Sequence, residues 1–329
     1  LVCWSASPAA GIVECREAVD VLRQAGNRRR LAEALGLLAG VLVRAHEFDR
    51  SLETLSELRA TIEPDDGPWL VAVHDMLLAS NLAPLGRLDE AEAAARAALE
   101  RFDALGEVFQ AVDPVWVLAG IAEAHGDLDL AAAAQEELLE RCRAAGLRIY
   151  VPFRLVRLAA LRARQGDDEA ADRLYDEAIA SSYNPWLVAE AMVGQAGVAR
   201  RRGDMARARA LLDEAQRQYD ASSLAAGRAG VLAGLAWWFL AAGEPVRAIE
   251  AATQASAVAA DTHDPTMQVL ASTAKAAADA LGKPTARHID AFLSAAQRRA
   301  QTGTFGSLPL PDEPDVTALV ERLRAPTSA

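Results

Sequence analysis

A helix-breaking turn returns along this chain about every forty residues, and few folds accommodate such a beat. One copy reads GDLDLA at residues 126–131. Others begin at Gly86 (GRLDEA), Gly166 (GDDEAA), Gly203 (GDMARA), Gly243 (GEPVRA) and Gly282 (GKPTAR), and His46 opens HEFDRS in the same slot. Taken in order from His46, the spacings are 40, 40, 40, 37, 40 and 39 residues. Glycine at a fixed interval fits the left-handed residue that commonly ends a helix. In a repeat architecture each unit packs only on its neighbours, so 329 residues can grow along a line without one central core.

The stretches between the turns are helical in character. Ala and Leu dominate, aromatics make up 5% and β-branched residues are scattered, so little side-chain freedom is lost in a helix. Almost no strand is expected. Each repeat reads as a helix, the turn and a second helix, over 28–66, 68–105, 107–145, 147–182, 185–222, 224–261 and 265–302. Pro68, Pro185 and Pro265 suit first helical turns, where no N–H partner is needed.

Counting from the turn gives the packing register. Eight residues before it stand Leu38, Leu78, Leu118, Leu158 and Leu235, with Gln195 and Ala274 as exceptions. Seven before it stand Ala39, Ala79, Ala119, Ala159, Ala196 and Ala236, broken by Lys275. Five after it stand Ala91, Ala131, Ala171, Ala208 and Ala248, flanked by Ser51 and Arg287 in the first and last repeats. A large residue next to a small one, then a small one across the turn, lets two helices cross closely.

Residues 8–25 read as one more helix, with Val13, Ala18, Val21 and Leu22 inward and Gly26-Asn27 closing it. The chain is thus expected to open on the second helix of a repeat, with residues upstream missing. Residues 303–314 read as a loop, and Asp315 as the N-cap of a last helix to about Leu323. That helix either covers the open end of the array or is part of a loose tail. The domain assignment is 1–302 for the repeats and 303–329 for the loop with its short helix or tail.

The leucine-then-small pair, the turn glycine and the alanine five residues on together resemble the tetratricopeptide repeat, over roughly residues 8–302. The period departs from that family's standard of about 34 residues. Its aromatic eleven residues before the glycine is also replaced, by Leu35, Asp75, Val115, Leu155, Met192, Leu232 and Ala271. The resemblance implies an all-α, right-handed α-solenoid of two-helix repeats. Long, Ala-rich repeats of this kind are similar to the C-terminal sensor regions of large bacterial multidomain transcription activators, which carry an ATPase and a DNA-binding domain elsewhere in the chain.

Several function classes are set aside by the residues themselves. The net charge is −12 and no basic stripe carries interleaved aromatics, which argues against direct nucleic-acid binding. No apolar run reaches membrane-spanning length. Cys3, Cys15 and Cys142 form no CxxC, which fits a reducing, cytoplasmic setting. There is no GxxxxGK[ST], HExxH or GxSxG, and His46, His74, His125, His263 and His288 lack ligand spacing, so no metal, cofactor or catalytic set is expected. Carboxylates in the turns, such as Asp127, Asp129, Asp167 and Asp168, read as helix caps.

The inner surface remains. In arrays of this type the first helices line a concave groove, with inward slots thirteen, ten, six and three residues before the turn. The resemblance therefore implies a binding groove that includes Glu33, Met76, Ser80, Asp113, Trp116, Glu123, Phe153, Glu190, Arg200 and Trp237. Val193, Gly197, Gly230 and Ala233 hold further inward slots. Trp116, Phe153 and Trp237 would give apolar walls, and Gly120, Ala160 and Gly197 would leave room. Alternatively these side chains pack on one another and close the groove. Trp69, Phe109, Tyr150 and Trp186 recur at one slot, which favours packing between repeats. Arg200-Arg201-Arg202 either serves a helix C-terminus or clamps an acidic group.

The leading expectation is a non-catalytic sensor domain that takes a peptide, a protein segment or a small effector in the groove. It would act on further domains of the same chain. An assembly scaffold is the alternative, homo-oligomers included, and an α-solenoid enzyme the least favoured reading.

Overall fold

The computed structural model describes residues 8–222, 225–261, 265–302 and 313–324. These form sixteen α-helices, with no strand among the described residues. The chain divides into two compact units, Leu1–Ile121 and Ala122–Ala329.

The first unit holds α1 (Pro8–Gln24), α2 (Arg28–Arg44), α3 (Phe48–Thr61), α4 (Pro68–Leu82), α5 (Leu88–Leu105) and most of α6 (Val112–Ala124). Within it α2 packs on α3, α4 on α5, and the first helices α2 and α4 on each other. Ala39, Ala79 and Ala91 are fully buried, as close helix crossing requires. Ser51, which interrupts the alanine series, is equally buried. Its hydroxyl donates to the Ala39 carbonyl at 3.0 Å and accepts from the Asn81 amide at 3.0 Å, so a polar pair replaces the missing apolar contact.

On α1 the buried residues are Ile12, Cys15 and Val19, whereas Val13 is 56% and Val21 64% exposed. The expected inward face is therefore rotated. Ile12, Cys15 and Val19 follow the i, i+3, i+7 stripe that meets α2; Leu22 extends it as expected, and Val13, Ala18 and Val21 fall off it.

The second unit holds α7 (Leu128–Ala144), α8 (Val151–Arg164), α9 (Asp168–Ser181), α10 (Pro185–Arg201), α11 (Met205–Ser222), α12 (Ala225–Ala241), α13 (Pro245–Ala260), α14 (Pro265–Gly282), α15 (Ala286–Thr302) and α16 (Glu313–Arg324). Each first helix packs on the second helix after it: α8 on α9, α10 on α11, α12 on α13, α14 on α15. The first helices also meet in series, α8 with α10, α10 with α12, α12 with α14, so they share one continuous face.

The turns follow the register, with one exception. Gly86, Gly126, Gly166, Gly203 and Gly243 all have positive φ, and His46 adopts φ 57° in the same slot. Asp127, Asp167 and Asp204 accept from the backbone N–H three residues on, at 3.0, 2.9 and 2.9 Å, which makes them N-caps. Gly282 differs: it is the last residue of α14, and its φ is not positive.

The recurring aromatics split. Trp186 is half-buried against several hydrophobic clusters, but Trp69 is 38% and Phe109 48% exposed, so that slot does not serve packing throughout. The fully buried aromatics are instead Phe102, Tyr175, Tyr219 and Phe292 on second helices.

α16 does more than cover the array's end. It meets α15, but it also reaches α8, and Asp315 near its start pairs with Arg200 on α10. Residues 1–7 and positions 303–312 of the expected 303–314 loop lie outside the described residues, and α16 starts at Glu313, so Asp315 lies within its first turn and is not the N-cap.

Candidate functional site

The ten groove candidates divide between the units, and each unit places its own. In the first, Glu33 accepts from Arg30 at 2.7 Å on a partly exposed helix face. Met76 is half-buried against two hydrophobic clusters, and the Ser80 hydroxyl donates to its carbonyl at 3.0 Å. Asp113 is exposed and Trp116 half-buried on α6.

In the second unit three candidates serve internal structure. Glu123 is buried and accepts from Arg157 at 2.8 Å and Arg164 at 2.7 Å. Both arginines lie on α8, so this buried carboxylate ties the end of α6 to the next first helix. Glu190 is buried and accepts from the Tyr219 hydroxyl at 2.6 Å. Burial, and then the Glu190 carboxylate, push the Tyr219 phenol far above its ordinary range, so it stays protonated and donates. Phe153 is half-buried with its ring 6.1 Å from that of Trp186.

Arg200 and Trp237 come together. They line one cavity with Val193, Ala196, Gly197, Leu212, Gly230, Gly234, Trp238, Leu270 and Asp315. Val193, Gly197 and Arg200 are the inward slots of α10, and Gly230 and Trp237 those of α12. The mutual contacts of α10, α12 and α14 converge these slots. The walls are apolar, with one cation and one carboxylate at the rim. An added Cβ at Gly230 would stand 3.9 Å from Leu270, in ordinary van der Waals contact, so the position could take a small side chain.

The cavity has a volume of about 20 Å³. That holds roughly one water and is far below the 300–1,000 Å³ typical of small-molecule pockets. Asp315, from α16, pairs with Arg200, and both side chains are about nine-tenths buried. Trp237 is 5% exposed and belongs to the same hydrophobic cluster as Leu270, Val316 and Leu319.

Asp315 and Leu270 carry no signal in the repeat register. Asp315 lies beyond the last repeat, and Leu270 sits in the repeat whose turn departs from the others. The neighbouring arginines are engaged too: Arg201 pairs with Asp168 at 2.6 Å and Arg202 with Asp172 at 3.8 Å. Among the described residues no group of three His, Cys, Asp or Glu could hold a metal ion. Nor is any described helix long and apolar enough to cross a membrane.

No family model matches the chain, and no curated protein matches its sequence. Solved structures do share its fold. The apo form of RapI is similar with a TM-score of 0.67 at 12% identity, over 82% of this chain and 98% of that one. A Rap protein complexed with Competence and Sporulation Factor is similar with a TM-score of 0.60 at 12% identity, over 96% and 99%. A signal-transduction ATPase with numerous domains and a tetratricopeptide-repeat sensor, from Pyrococcus horikoshii, gives a TM-score of 0.55 at 15% identity. There the match covers 83% of this chain and 43% of that protein. At such identities the likeness carries the fold.

Proposed function

From a chain with the fold of tetratricopeptide-type helical-repeat proteins, we propose a non-catalytic binding domain that takes a peptide or protein segment on the first-helix face of its second unit. The observation that carries this reading is the convergence of Val193, Gly197, Arg200, Gly230, Trp237 and Leu270 from three successive first helices. An apolar face with one fixed cation is the chemistry of a segment read by a few apolar anchors and one charge. The narrow cavity favours a segment lying along the face over a small effector inside it. We assign the domain to the sensing part of a bacterial regulator. The Rap complex with its factor and the repeat sensor of the Pyrococcus ATPase support that assignment by analogy of fold.

Panning a displayed peptide library over the full chain tests the proposal. Selected peptides should lose at least tenfold in affinity for Gly197→Leu, which fills the face, and for Arg200→Glu. Peptides that bind these variants as well as the unmodified chain would move the interaction to another surface and favour an assembly scaffold.

A further inference from the structure

α16 shows what the first-helix face accepts. Val316 and Leu319 are 4% and 6% exposed, in the cluster that holds Trp237 and Leu270, and Val320 and Leu323 pack against it. These four residues follow an i, i+3, i+4, i+7 pattern, one stripe of a helix. Thr317, Ala318, Glu321 and Arg322 point the other way and are exposed. Immediately before the stripe, Asp315 pairs with Arg200. The helix thus meets the face with one carboxylate on its cation, while its apolar stripe joins the hydrophobic cluster that holds Trp237 and Leu270, as a bound amphipathic segment would.

Two features distinguish α16 from a repeat helix. It has no repeat partner: it touches α15, the last repeat helix, and also α8, three repeats back. It is also short, 12 residues, and a helix of that length is marginal on its own. Residues 303–312, with the sequence GTFGSLPLPD, tie it to the array. Because the helix belongs to the same chain, its docking is intramolecular, so weak intrinsic binding is enough to keep the face occupied.

We propose that α16 is a built-in competitor for the binding face. The partner is a protein segment that forms an amphipathic helix, with a carboxylate directly before an i, i+3, i+4, i+7 apolar stripe, and it displaces α16 as it binds. The proposal rests on the binding reading given above and names the partner's chemistry.

The test uses the full chain and a fluorescent peptide with the sequence of residues 313–324. Leu319→Asp places a charge in the stripe and loosens the resident helix. The peptide should bind the Leu319→Asp chain at least tenfold more tightly than the unmodified chain, whose own α16 competes. A peptide with lysine in place of the aspartate should lose that affinity. It should regain it on a chain that carries Arg200→Glu together with Leu319→Asp. Circular dichroism confirms that the variants remain folded. Hydrogen exchange on the unmodified chain gives a second measure, in which α16 amides should exchange at least tenfold faster than those of α12.

Equal binding to both chains, binding to neither, or α16 protection equal to that of α12 would overturn the proposal. Panned peptides that depend on Gly197 but ignore Leu319→Asp would leave the binding face standing and remove only the competitor.

Discussion

Gly126 adopts φ +78°, and a Cβ built on it meets nothing within 4 Å. Its glycine answers to backbone conformation alone. An L-residue held there costs about 1–2 kcal/mol, offset in part by the stiffer unfolded chain. Gly282, in the matching sequence slot, ends α14 without positive φ, and its added Cβ would lie 2.9 Å from Ile249 Cδ1 and 3.3 Å from Pro245 Cβ. Here the glycine answers to crowding by a flexible side-chain end. Alanine there also gains about 0.5–1 kcal/mol of helix preference. Gly126→Ala should therefore lower stability by about 1 kcal/mol, while Gly282→Ala should leave it within about 0.5 kcal/mol. Urea midpoints at constant slope measure both. Equal losses would mean that the two slots share one backbone geometry after all. The sequence makes these residues look alike, because periodicity records position and not φ. Gly194 shows the same limit. It reads as an ordinary helix glycine, yet its added Cβ would fall 2.7 Å from Cε1 of the fully buried Tyr175 ring.

Helices join through the register and through a few ion pairs, and only the first of these is legible in advance. The alanines seven before and five after the turn are read straight from the sequence, since a small residue at a fixed phase has one use between crossing helices. Ion pairs between repeats join residues 26 to 41 positions apart with no fixed phase. Asp172 on α9 is the best placed of these. It accepts from Arg207 on α11 at 2.8 and 3.0 Å and from Gln195 on α10 at 2.8 Å, so one carboxylate ties three helices. Burial alone would raise its pKa, but the hydrogen bonds from Arg207 and Gln195 outweigh that and hold it below the usual carboxylate value. A depressed carboxyl contributes stability above its unfolded pKa, about 4, and loses it as pH falls through the folded value. The stability gap between the unmodified chain and Asp172→Asn should be widest near neutral pH and shrink below about pH 4. Paired urea titrations across that range measure the gap. A gap that stays constant down to pH 3 would remove the charge from the account and leave only hydrogen bonding.

At the scale of the second unit, a linear array and a bridged one behave differently when a single repeat is weakened. Stacked repeats pass a local loss to their neighbours, and the loss fades with distance. α16 provides a shortcut across that line, because it touches α8 and α15 and pairs with α10. The repeat beat shows the line, and it brings Val193, Gly197, Arg200, Gly230 and Trp237 onto one face. The shortcut is absent from the beat, since α16 belongs to no repeat and its docking is fixed by a remote pairing. Leu155→Ala opens a cavity at a fully buried site on α8 and should cost about 2–5 kcal/mol. In hydrogen exchange, protection should fall most in α7, α8, α9 and α10, the mutated helix and those in direct contact with it. With α16 seated, part of the loss should also reach α14 and α15. In a chain that carries Leu319→Asp as well, α14 and α15 should keep their protection while α7 to α10 lose theirs. The difference between the two profiles measures the bridge directly. Identical profiles would mean that α16 transmits nothing and that neighbour contacts alone carry stability through this unit.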